Sequence, residues 1–299
     1  PASPAPLAVR RRRRLSRRGR LALIATVLGV TVLLAAVAVA TVVGGRTSPP
    51  DAIYPAAAPT VPAPSATAEE TSTDEQTLTT EIASDTAVLR LPAGPATGLI
   101  VIFADPATAV DQTMAAGWVA DAVEAGWAVA SSTFAGGWAS PVSTDAAREL
   151  LEWADAQVDT DRSMFVSQRI GAATSVALLE REPQLAPACW YGSAPIADLA
   201  ALATESDGAA DAIISAWGRV PDAAENPSTL VGQLPAEPGY HVTLPADDDP
   251  TGPRGLSEAL ASAMEEAGLT VNTTTSTEEL TGDDALDETD LLAAVEGCS

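Results

Sequence analysis

The run Leu21 to Val43 (LALIATVLGVTVLLAAVAVATVV) constrains this chain most: 23 residues with no charge and only threonine as polar relief. At about 1.5 Å per residue, a helix of this length crosses a hydrocarbon core of about 30 Å. Five consecutive arginines, Arg10 to Arg14, with Arg17, Arg18 and Arg20, precede the run, and only Arg46 follows closely. Basic residues are retained on the cytoplasmic side of a membrane. Residues 1–20 are therefore expected in the cytoplasm, 21–43 as a transmembrane signal anchor, and the rest on the extracytoplasmic side. Ala38-Val39-Ala40 offers a small-residue cleavage site, so a removed signal peptide is the alternative, but the length of the run favours an anchor. The string SRRGRL from Ser16 to Leu21 resembles a twin-arginine export signal, a match that so arginine-rich a stretch produces by chance.

Charge is divided just as unevenly. All 16 basic residues are arginine, and nine of them lie at or before Arg46. The other seven face all 40 carboxylates, which leaves residues 47–299 with a formal charge of −33. Such a surface repels phosphate backbones and anionic lipid, so nucleic acid is excluded as a partner and membrane contact is left to residues 21–43.

Residues 44–80 hold Pro49, Pro50, Pro55, Pro59, Pro62 and Pro64 among alanine, threonine and serine. This composition predicts an extended stalk without a core. From Glu81 the pattern changes, and residues 81–299 are expected to fold as one domain. Strands are predicted at Ala87–Leu91, Gly98–Phe103 (GLIVIF), Trp127–Ser131, Met164–Val166, Ala188–Tyr191, Tyr240–Leu244 and Leu269–Thr274. Helices are predicted near Gln112–Ala125, Thr144–Gln157, Ile170–Arg181, Leu256–Ala267 and Glu288–Glu296, with a helical insertion after Tyr191. Continuous apolar strands alternating with helices imply an α/β fold, a mostly parallel sheet covered on both faces.

The stretches LRLPAGPATGLIVIF, AGWAVASSTFAGGWASP with TDAARELLEWA, and SMFVSQRIGAATSVALL carry a family resemblance, which continues through AIISAWG and LPADDDPTGP. In order and spacing they resemble the α/β-hydrolase fold family, especially its secreted bacterial esterase-like members. The resemblance implies a serine nucleophile at the centre of G-x-S-x-G on a tight strand-to-helix turn, with the next amide in the oxyanion hole. The matching pentapeptide here is Ser167-Gln168-Arg169-Ile170-Gly171, which puts Arg169 at the nucleophile position. A guanidinium stays protonated and cannot attack a carbonyl. The His-Gly that opens the family's oxyanion loop corresponds to Ala104-Asp105, an acid where donors are needed. The triad acid matches Asp249, with Asp247 as the nearby alternative, and the histidine position corresponds to about Glu279. No intact triad is expected.

Other residues do not replace what is missing. His241, the single histidine, lies inside a predicted strand and reads as a partly buried strand residue. Ser131, Ser132 and Ser193 end strands but have no evident base, and Ser257 in GLSEA lacks the strand-turn-helix context its motif needs. Neither Asp247–Asp249 nor the group Asp283, Asp284, Asp287, Glu288 and Asp290 follows a calcium-loop pattern, so both read as solvated surface, and no metal or cofactor is implied. Among six tryptophans, Trp138 in a Gly-rich loop and Trp217 in the insertion are the candidates to face a ligand. Outside the cytoplasm Cys189 and Cys298 are expected to be oxidised, and the predicted elements put both at the sheet edge remote from the site.

A membrane-anchored pseudo-hydrolase with a binding or structural role is the expected function. Arg169 and Asp105 belong to the candidate binding set with the two tryptophans. At a helix amino terminus Arg169 would receive a small anionic ligand, or else be neutralised by Asp105, Asp249 or Glu279. An envelope protein is the alternative partner, and an esterase with a non-standard site is the alternative activity.

Overall fold

The computed structural model describes residues 75–246, 252–277, 280 and 286–298. The expected span over 21–43 and the stalk up to residue 74 lie outside them, as do Asp247, Asp249 and Glu279. Among the described residues no helix is long and apolar enough to cross a membrane.

One sheet of eight strands forms among the described residues, in the order β1-β2-β4-β3-β5-β6-β7-β8. The strands are β1 (Gln76–Ile82), β2 (Asp85–Leu91), β3 (Gly98–Phe103), β4 (Trp127–Ser132), β5 (Ser163–Gln168), β6 (Cys189–Ser193), β7 (Gly239–Leu244) and β8 (Val271–Thr275). The hairpin β1-β2 joins β4 antiparallel, and every other pairing is parallel. β1 lies largely within the stretch expected to be stalk, so the folded domain starts ahead of residue 81. Its sequence QTLTTEI is too polar to read as a core strand, and it forms because β-branched threonines suit a half-exposed edge.

GLIVIF shows why the central strands carry no polar alternation. Leu99, Val101 and Phe103 enter one core cluster and Ile100 and Ile102 the other, so β3 is buried on both faces. The first face is covered by α3 (Pro141–Asp155), α4 (Gly171–Arg181) and α7 (Pro253–Glu266), through Leu150, Val176 and Leu260 among others. The second is covered by α2 (Gly117–Glu124) and α8 (Glu288–Gly297), through Trp118, Val123, Leu291 and Val295. The helix expected near Gln112–Ala125 is two helices, α1 (Val110–Met114) and α2, because Ala116 turns extended at ψ 141°. The insertion after β6 forms α5 (Leu199–Glu205) and α6 (Asp207–Trp217).

Cys189, opening β6, is bonded to Cys298, just beyond α8, with Cα atoms 5.7 Å apart. That is the expected pairing, and the distance is ordinary for a disulfide.

Candidate functional site

The turn from β5 into α4 holds a strained residue. Arg169 sits in it with φ of 46°, in the left-handed region that a residue with a side chain seldom occupies. The surroundings hold it there: Arg169 N–H donates to the Ser193 carbonyl at 2.9 Å, and its own carbonyl accepts from Ile196 N–H at 2.9 Å. Two residues on, a Cβ at Gly171 would lie 2.0 Å from the Phe103 carbonyl oxygen, so only glycine lets α4 start this close to β3. Ser167, where the family has its first glycine, is fully buried, and its hydroxyl meets that of Ser175 at 2.8 Å. Ser175 also accepts from Trp190 Nε1 at 2.9 Å. The sharp turn therefore closes without that glycine.

Arg169 Nε donates to Asp105 Oδ2 at 3.1 Å, and both side chains are largely buried, at 23% and 15% exposure. The other Asp105 oxygen accepts from Ala107 N–H at 3.0 Å. The carboxylate is thus committed to a guanidinium and to its own loop, and Ala104-Asp105 directly follows the end of β3. Of the three acids that could neutralise Arg169, Asp105 is the one placed beside it among the described residues.

A third loop packs against these two. Residues 134–139 (FAGGWA) all have positive φ, including Trp138 at 61°. Ala135 N–H bonds Asp85 at 2.6 Å and Ala139 N–H bonds Thr174 at 3.2 Å, which hold the strained path. A Cβ at Gly137 would come within 2.8 Å of Pro106, the residue after Asp105. Trp217 Nε1 donates to the Trp138 carbonyl at 2.7 Å, and both indoles pack, half-buried, on a cluster containing Ile170. Arg169 is thus paired with Asp105 and Trp217 with the Trp138 carbonyl, and the two pairs meet where the loop of Gly137 packs on Pro106 and where both indoles pack with Ile170.

His241 is a partly buried strand residue on β7, as expected, but its surroundings were not foreseen. Its Nε2 lies 2.9 Å from Asp290 Oδ2, its Nδ1 3.0 Å from Asn272 Nδ2, and its ring stacks on Tyr191 at 5.2 Å. Asp290, read from sequence as solvated surface, is 20% exposed and accepts on the same Oδ2 from Tyr191 at 3.0 Å, from Thr274 at 3.1 Å and from Thr243. Burial alone would raise its pKa. The hydrogen bond from Thr243, the charge and hydrogen bond of His241 and the Tyr191 hydroxyl outweigh burial, so the carboxyl titrates below its ordinary value. Burial pushes the Tyr191 phenol well up, which keeps it a donor. The signal available in the sequence was Asp287 to Asp290 at the start of a helix, where Asp287 caps α8 by accepting from Asp290 N–H. Ser193 is fully buried, and its Oγ has no hydrogen-bond partner among the described residues.

A mostly parallel sheet in this strand order, with a strained turn leading from β5 into α4, defines an α/β-hydrolase fold, and this chain has it. Solved structures agree. An esterase from the bacterial hormone-sensitive lipase family is similar with a TM-score of 0.57 at 15% identity, over 75% of this chain and 84% of that one. An esterase/lipase from an uncultured bacterium gives 0.58 at 11% identity, over 75% and 84%. A thermostable carboxyl esterase from Bacillus coagulans, crystallised with glycerol, gives 0.55 at 11% identity, over 75% and 98%. At such identities the likeness is one of fold. No protein-family model matches the sequence, and neither does any curated protein.

Proposed function

We propose that this chain is a membrane-anchored, extracytoplasmic pseudo-hydrolase, a non-catalytic α/β-hydrolase-fold domain that serves the cell envelope by binding or as a structural component. The observation that carries the reading is Arg169: a permanently charged side chain occupies the strained turn where this fold presents its nucleophile, and an ion pair ties it to Asp105. In the binding form of the reading, the carboxylate or phosphate of a small anionic ligand replaces Asp105 as partner of Arg169, beside the amino end of α4. The test is a fluorophosphonate probe together with a broad ester panel on the purified full chain. No labelling and no turnover are expected, and Arg169→Ser alone restores neither. Stoichiometric labelling of the unmodified chain, traced to one serine and lost on mutating it, overturns the reading.

The anchor rests on the uncharged run Leu21 to Val43 and the arginines ahead of it. A reporter fused after Ser299 is expected to be active only outside the cytoplasm; cytoplasmic activity overturns that topology. A second reading, an esterase-like hydrolase working through a non-standard site, is favoured by the similar structures, which are those of esterases and lipases. The same probe experiment separates it from the first.

A further inference from the structure

Away from Arg169, the chain holds a second concentration of polar groups that the hydrolase fold does not require. On one face of β6, β7 and β8 the register sets Tyr191 beside His241 beside Asn272, and Ser193 beside Thr243 beside Thr274. Asp290 reaches this ladder from α8. Beside it is a cavity of about 380 Å³, lined by Tyr191, His241, Asn272, Thr274 and Asp290 and, on its apolar side, by Met164 and Ala294 among others. Cys189 and Gly239, the first residues of β6 and β7, also line it. Arg169 follows the last residue of β5, so the cavity and the strained turn lie toward opposite ends of these parallel strands.

We propose that this cavity binds a small organic cation, a compact primary amine with an apolar body, through the Asp290 carboxylate. Oδ2 of Asp290 is saturated by Tyr191, Thr243, His241 and Thr274, whereas Oδ1 has no hydrogen-bond partner among the described residues. Oδ1 is not among the buried atoms left without a partner, so it is open at the cavity side, and in a carboxylate held ionised by its neighbours it can accept a charged donor. No arginine lines the cavity. His241, the basic group present, spends its Nε2 on the oxygen already saturated, so it does not compete for Oδ1. An ammonium group gives Oδ1 a short charge-assisted bond, with the Asn272 amide and the Thr274 hydroxyl within the same wall, while Ala293 and Ala294, which keep exposed surface, receive the hydrocarbon. The formal charge of −33 over residues 47–299 raises the local concentration of cations.

His241 is the only histidine in the chain, so its imidazole is a single-site reporter. The experiment labels histidine in the full chain, held in detergent, and follows that imidazole by NMR. Phenethylamine, phenethyl alcohol and 3-phenylpropionate are titrated in turn. Phenethylamine is expected to shift the signal saturably, with the alcohol and the carboxylate binding at least tenfold more weakly. Asp290→Asn is expected to weaken the amine at least tenfold. Ala294→Leu fills the cavity without touching the polar ladder and is expected to abolish the response; it decides the matter if Asp290→Asn fails to fold. Equal response to the three compounds, no response, or unchanged amine affinity in either folded variant overturns the proposal. Activity toward esters does not enter the readout, so the result is independent of the fate of the pseudo-hydrolase reading.

Discussion

Arg169 Nε lies 3.1 Å from Asp105 Oδ2, an ion pair that joins the turn after β5 to the loop after β3. The resemblance to α/β-hydrolases assigns a nucleophile to the first of those positions and the start of the oxyanion loop to the second, so two departures from the family's pattern meet in one contact. Removing a single partner leaves a largely buried charge unpaired, and that asymmetry makes the contact measurable.

Asp105→Ala and Arg169→Ala are each expected to lower stability by about 1–3 kcal/mol. The double variant is expected to cost less than the two single changes added together, because neither charge is then stranded. Urea denaturation of the four proteins gives the coupling. Strict additivity would mean that the pair does not hold the turn.

Gly171→Ala is a test of the elbow itself. The added Cβ would meet the Phe103 carbonyl oxygen at 2.0 Å, and that oxygen belongs to the central strand and cannot swing aside. Relief requires α4 to move off β3, at a cost of about 3 kcal/mol or more by comparison with overpacked cores. A Tm within a degree or two of the parent would show that the helix does not start this close.

How far the sequence reveals this arrangement depends on the range of each interaction. β3 is legible because burial on both faces writes an unbroken apolar run, and Arg169 is legible because the elbow motif is local. The break between α1 and α2 is not legible, since Ala115 and Ala116 suit a helix and only tertiary packing turns the second one extended. Nor is the contact of His241 with Asp290. The two lie 49 residues apart on a strand and a helix, and neither periodicity nor charge clustering separates a buried acceptor at a helix start from an exposed acid. The disulfide was accessible because Cys189 and Cys298 are the only two cysteines and each falls at the end of a predictable element.

That disulfide closes a separation of 109 residues. Constraining the unfolded chain over such a loop is worth about 4–5 kcal/mol in the chain-entropy model, an upper-end figure because measured bridges often contribute less. Replacing both cysteines with serine is expected to lower stability by about 2–4 kcal/mol, and reductant should lower the Tm of the parent but not of the variant. An equal effect of reductant on both proteins would remove the bridge as the cause.

The acid limb of the stability profile tests the ladder around Asp290. Its carboxyl is held below the ordinary value of 3.8 in the folded chain, so the folded state binds that proton less readily than the unfolded state. For a depressed carboxyl the sign is fixed. The contribution is fully present above the unfolded pKa and is lost as pH falls through the folded one, so the informative window is below about pH 4. Asp290→Asn keeps the shape and one carbonyl acceptor but cannot ionise. The parent is expected to exceed the variant in stability by about 1–2 kcal/mol near neutral pH, the scale of one hydrogen bond made to a charge instead of a neutral group. That margin should narrow steadily on acidification, because protonating Asp290 removes from the parent what the substitution has already removed from the variant. Tyr191, Thr243, Thr274 and His241 all meet the same oxygen, so narrowing confined to this substitution, and absent from Asp287→Asn at the helix cap, assigns the effect to the ladder. A margin that stays constant from neutral pH down to about pH 3 would mean that Asp290 titrates alike in the folded and unfolded chains, and that its four neighbours do not stabilise its charge.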